Sequence, residues 1–117
     1  MEPNWRPLEE KLGSERCAGF MFMGRINGIN LYKHGIARIY LNLDDSGHCY
    51  ASQGSGNFRR TDFTTELAKL DAALRELGET LESAYDEAYI AKKREALQRT
   101  GIPLIRFEVE PENQSIN

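Results

Sequence analysis

The chain has 117 residues, 15 Lys and Arg against 18 Asp and Glu, and a formal net charge of -3. That length suits one domain able to bury a core without metals or disulfides, and 40% hydrophobic with 28% charged residues excludes a disordered or fibrous chain. The acidic balance also excludes histone-like coating of nucleic acid, which needs a strong positive excess.

The start of the chain, Met1-Glu2-Pro3-Asn4-Trp5, has no apolar leader, and the longest apolar cluster, Phe20 to Met23, is too short to span a bilayer. No membrane partner is expected. Cys17 and Cys49 make neither a disulfide framework nor a four-ligand zinc set. They read as reduced thiols of a cytoplasmic protein, with no metal and no cofactor expected.

In chain order, Trp5, Leu8 and Leu12 have the spacing of a short amphipathic helix within residues 1–15, with Pro7 in its first turn and Gly13 at its end. Residues 17–52 read as a β-meander of four strands. Asn27-Gly28 between two isoleucines is the signal of a two-residue type I′ hairpin pairing Ile26 with Ile29. Register then follows the hydrophobic pattern. A three-residue loop, Lys33-His34-Gly35, would pair Leu31 with Ala37 and Ile29 with Ile39. The turn Asp44-Asp45-Ser46-Gly47 would pair Leu43 with Cys49.

The stretch from Gln53 to Arg60 reads as a surface loop. Residues 62–99 read as one long helix with Asp62 or Thr61 as cap and a Leu/Ala seam from Leu67 to Ala91. Continuous, it would be about 57 Å long, far beyond a typical strand of about 20 Å. Gly78 and the Ser83/Asp86 pair are the places where it would bend or break. Residues 103–110 return to strand alternation, and 111–117 form a tail. The expected fold is α+β, with an antiparallel meander plus a C-terminal strand packed on one face by the long helix.

These registers put Phe20, Phe22, Ile26, Ile29, Leu31, Ala37, Ile39, Leu41, Leu43, Cys49 and Ala51 on the core face. The other face is then basic and aromatic, with Arg25, Tyr32, Arg38, Tyr40, Asn42, His48, Tyr50 and Arg106 as candidate ligand-binding residues. No acidic residue occurs between Arg16 and Leu43. Residues 1–60 carry net +2, from 8 basic and 6 acidic side chains; residues 61–117 carry the rest, net -5. Tyrosines offer flat surfaces and arginines hold phosphates or carboxylates, which is the logic of nucleotide or single-strand binders. The same face can instead be covered by the Trp5 helix or by a second subunit. Arg59 and Arg60, ahead of the helix N-terminus, form a second candidate anion site.

For catalysis, His48 lies across a turn from Asp44, a possible carboxylate–imidazole pair. His34 reads as a solvated turn residue, and Cys49 points the other way into the core. No nucleophile is placed beside His48, so no catalytic residue is assigned. The function expected is a non-enzymatic binding or interaction domain, paired as a homodimer through the overlong helix. The alternatives are binding of nucleic acid or a small anionic ligand on the tyrosine-rich face, and a small enzyme using His48 and Asp44.

Overall fold

Pro7 in its first turn and Leu8 and Leu12 on its inner side make α1, Arg6–Leu12; Gly13, at φ 88°, ends it before the short α2, Ser14–Cys17. The structure is a computed structural model that describes residues 2–83 and 86–99. Five described strands follow in a simple antiparallel meander: β1 Phe20–Ile26, β2 Ile29–His34, β3 Tyr40–Asp44, β4 Cys49–Gly54 and β5 Asn57–Thr61. Two helices close the described chain, α3 Phe63–Glu76 and α4 Glu87–Arg99. The fold is α+β, as the periodicities imply. The expected final strand 103–110, its Arg106 and the tail lie outside the described residues.

The first hairpin forms as its turn chemistry dictates, with Ile26 opposite Ile29 and Gly24 opposite Leu31. Asn27 and Gly28 both take positive φ, 52° and 80°, as a type I′ turn requires. A β-bulge between Phe22 and Gly24 then shifts the register, so that Phe22 faces Tyr32 and Phe20 faces His34. The turn at Asp44 also forms, and it pairs Leu43 with Cys49.

The second turn differs from the sequence reading, and the difference reorganises the sheet. The connection is residues 35–39, and Leu31 pairs with Asn42, not Ala37; Tyr32 pairs with Leu41. That slip is an odd number of residues, so it exchanges the faces of β2 relative to β3. The core face carries Phe20, Phe22, Tyr32, Leu41, Leu43 and Cys49 beneath the helices. Ile26, Ile29 and Leu31 lie on the opposite face, with Asn42 and Tyr50. Tyr32 is wholly buried, covered by Trp5 with ring centroids 5.5 Å apart, so the N-terminal segment does cover this part of the sheet.

Residues 35–37 of this loop can be buried because their polar backbone is satisfied by side chains. His34, 1% exposed and not solvated as expected, accepts the N–H groups of Ile36 and Ala37 on Nδ1, at 3.1 and 3.2 Å. Arg94, from α4, donates to the carbonyl of Gly35 through Nε and Nη2 at 3.0 and 2.7 Å. Buried backbone must find such partners. With them, Ile36 and Ala37 enter the core from a loop and not from a strand.

Two further expectations are corrected. The segment after Gln53 is not a loop, because β4 turns at Ser55-Gly56, at φ 55° and 76°, into β5. The long helix is broken. At its C-terminus Glu79 N–H donates to Leu74 O (2.8 Å) and Gly78 N–H to Arg75 O (3.1 Å), a Schellman stop with Gly78 left-handed at φ 76°. Asp86 then caps α4 by accepting Tyr89 N–H at 2.7 Å. Asp62 caps α3 by accepting Thr65 N–H at 3.2 Å. The expected surface pairs Asp71–Arg75 and Glu95–Arg99 form, at 2.9 and 2.6 Å.

Candidate functional site

β3 and β4 pair only at Asn42–Tyr50 and Leu43–Cys49. Where the ladder ends, a cavity of about 330 Å3 opens between Arg38, Ile39 and Tyr40 on one side and Ala51, Ser52 and Gln53 on the other. Asn42 and Tyr50 line it at the parting of the strands. Arg59 of β5 and Glu66 and Lys69 of α3 complete it. The volume lies at the lower end of the range of small-molecule pockets, about 300–1,000 Å3.

Among the described residues, three cations and one carboxylate line the cavity. The carboxylate, Glu66, is engaged by Lys69 Nζ and by Thr61 Oγ1, each at 3.2 Å. Arg59 enters no ion pair among the described residues. Arg38 reaches the cavity from a left-handed backbone position, φ 64°, a conformation that costs a non-glycine residue about 1–2 kcal/mol. Its N–H donates to His34 O at 2.9 Å, so the buried loop sets where it stands.

Asn42 is the most informative residue of the lining. It is 3% exposed, and its Nδ2 donates to the carbonyl of Tyr50 at 3.1 Å. Only the amide nitrogen can donate to a carbonyl, so that bond fixes the orientation of the side chain. Its Oδ1 is buried with no hydrogen-bond donor among the described residues. A buried acceptor left this way costs about 1–3 kcal/mol, and in native proteins such atoms are few.

Tyr50 is held from both ends. Its hydroxyl donates to Asp44 Oδ2 at 2.9 Å, and Arg60 lies over its ring at 6.0 Å. The hydrogen bond to Asp44, then burial, pushes the Tyr50 hydroxyl pKa up. Asp44 also accepts the N–H groups of Ser46 and His48 on Oδ1, both at 2.9 Å, and faces His48 Nδ1 at 3.2 Å. Burial raises its pKa, but the bonds from His48 and Tyr50 outweigh it and hold the carboxyl below its ordinary range. The Asp44–His48 pair therefore exists as the spacing implies, and it braces a turn. The His48 side chain is 49% exposed, and the neighbouring Cys49 is buried toward the core, its thiol pushed up to about 11 by burial.

Of the residues singled out in the sequence, Arg38, Tyr40, Asn42, Tyr50 and Arg59 come together in this cavity. Arg60 stands beside it on Tyr50. Tyr32 and Arg25 do not, because the odd slip of β3 carries them to the core face. Arg25 makes a two-pronged pair with Asp45 at 2.9 and 2.8 Å, joined by Asn30 and Asn4. Arg59 and Arg60 act from a strand and not from a helix N-terminus, whose Thr65 amide Asp62 already satisfies. Ser52, Gln53, Glu66 and Lys69 were not legible as site residues. They enter only once β5 is a strand and α3 starts beside it.

No helix among the described residues is long and apolar enough to cross a membrane, and none of their His, Cys, Asp and Glu side chains cluster as a metal set would. No protein-family model matches the chain, and neither does any curated protein or solved structure compared with it.

Proposed function

We propose that this small α+β domain is a non-enzymatic binding protein whose cavity between β3 and β4 holds one small anionic molecule bearing a flat group. The observation that supports the reading is a cavity whose one described carboxylate, Glu66, is already engaged by Lys69 and Thr61, while Arg59 lines it with no ion pair among the described residues. Arg59, with Arg38 and Lys69 near it, supplies charge-assisted bonds to an anion. Tyr40 and Tyr50 supply ring surface. The separation of Tyr32 from these two tyrosines favours a single small ligand over a strand of nucleic acid laid along the sheet.

An NMR titration of the labelled protein with nucleoside monophosphates and aromatic carboxylates tests this. The expected result is movement of the Asn42, Tyr50, Ser52 and Arg59 amides. Arg59→Ala should weaken the interaction about tenfold or more, the worth of a charged hydrogen bond. Unmoved resonances at millimolar ligand overturn the reading.

The homodimer was expected from a helix too long for its sheet. α3 has 14 residues, about 21 Å, and Leu70, Leu74 and Leu77 are buried in the core. The feature that motivated pairing is thus gone. Light scattering decides the matter: a particle of 13.3 kDa removes the dimer, and twice that mass restores it.

A further inference from the structure

We infer that the outer edge of β5 is a docking edge for an extended, acidic segment of a partner protein, which pairs with it as an added strand. The inference goes beyond the cavity reading and stands without it. The sheet order leaves β1 and β5 at its edges, with no further strand on either among the described residues. An open edge presents a row of unpaired backbone groups, and proteins blunt such edges with bulges and charges. β1 is blunted by its bulge between Phe22 and Gly24. β5 instead pairs with β4 without a break from Phe58 to Thr61, so its outer side keeps the regular spacing that an added strand needs.

The ladder fixes which backbone groups face outward. His34 N–H donates to Ile39 O at 2.9 Å, and Asp44 N–H donates to His48 O at 3.0 Å. Backbone groups alternate sides along a strand, so Asn42 and Asp44 turn theirs toward β4, and Tyr50 turns its own toward β3. Cys49 and Ala51 then face β5, where Thr61 and Arg59 stand opposite them. Phe58 and Arg60 are left with N–H and C=O groups turned outward, and an added strand bonds to these two. The side chains set its charge. Arg59 and Arg60 are both exposed, lie on opposite faces as neighbours in a strand do, and enter no ion pair among the described residues. The carboxylates at the end of the strand are engaged, Glu66 by Lys69 and Thr61 Oγ1, and Asp62 by the Thr65 N–H. Like charges opposite one another across a ladder are destabilising and opposite charges are favourable. A second copy pairing through β5 would set arginine against arginine, whereas a strand with two adjacent carboxylates meets both arginines, one on each face.

The experiment follows amide hydrogen exchange by NMR on the full chain, with the capped peptide Thr-Val-Glu-Glu-Val-Thr as probe. The controls are the same peptide with lysines in place of its glutamates, and the acidic peptide with alternate backbone nitrogens methylated. The acidic peptide should slow exchange of the Phe58 and Arg60 amides and leave that of Arg59, already bonded to β4, unchanged. It should bind about tenfold more tightly than the lysine peptide, the combined worth of two exposed ion pairs gained or reversed. The methylated peptide should not bind. Arg59→Glu combined with Arg60→Glu should invert the preference toward lysine. Should that variant fail to fold, the two control peptides on the unaltered protein decide the matter.

Equal affinity for the acidic and lysine peptides overturns the charge assignment. Equal binding of the methylated peptide overturns strand addition. Protection of Phe58 and Arg60 that grows with protein concentration, with no peptide present, gives the edge to a second copy and overturns the acidic partner. Unprotected Phe58 and Arg60 amides at millimolar acidic peptide overturn the docking edge altogether, including where the peptide moves the cavity amides of Asn42 and Ser52 instead.

Discussion

His34 shows how one side chain can seat a loop inside a protein. Its neutral Nδ1 accepts two backbone amides, and protonation would turn that acceptor into a donor facing donors. Burial lowers its pKa to about 4, against the upward pull of Glu79. The folded pKa lies below the unfolded value, so this contribution to stability is full above pH 6.5 and is lost as pH falls toward 4. The predicted loss is about 3 kcal/mol across that window, read as a lower urea midpoint at pH 4.5 than at pH 7. In His34→Gln that pH dependence should flatten. A glycine-flanked histidine gives no sequence signal of this burial, because the partners it satisfies are backbone groups of its own loop.

At the scale of elements, the ends of helices were legible as alternatives and the middle of one was not. Gly78 and the Ser83/Asp86 pair were the marked break points, yet the unbroken 3-4 spacing from Leu67 onward argued for continuity. The structure resolves the conflict by length. A helix of about 21 Å matches strands of about 17–20 Å, and a longer one would carry its leucines past the sheet. Gly78→Ala should destabilise by about 1 kcal/mol, because alanine at φ 76° meets the left-handed penalty. A thermal midpoint lowered by several degrees is the expected reading. β5 was missed because its Asn57–Thr61 sequence lacks a hydrophobic alternation. Its turn, Ser55-Gly56, was the available clue, since both positions take the positive φ that hairpins demand.

At the scale of the whole molecule, the cavity exists because β3 and β4 part after two paired residues and because β5 and α3 close it from the side. Among the described residues that line the cavity, basic side chains outnumber acidic ones in an acidic protein. Ligand affinity should therefore fall as salt is raised from about 0.01 to 0.15 M, as screening shortens from about 30 to 8 Å. The unfolding midpoint should change far less. Calorimetry with a nucleoside monophosphate at the two salt concentrations, beside thermal melts, checks both halves.

The sequence by itself determined the antiparallel meander, its first and third turns, a cap at Thr61 or Asp62, and tyrosines and arginines of the kind that line the cavity; it read Ser83 as the cap of a second helix, where Asp86 takes that place. Each of these follows from local chemistry: a turn needs particular residues, and a cap needs a short polar side chain. Which of those residues share a face was decided only by tertiary structure. The odd register of β3 depends on a buried loop that His34 and the distant Arg94 make tolerable, and a bulge after Phe22 separately brings Phe20 and Phe22 to the face of Tyr32. Side chains alternate along a strand with a period of two, so one irregular turn moves every residue beyond it to the other face. That is why Tyr32 lies in the core while Tyr40 and Tyr50 line the cavity, although all three carried the same signal in the sequence.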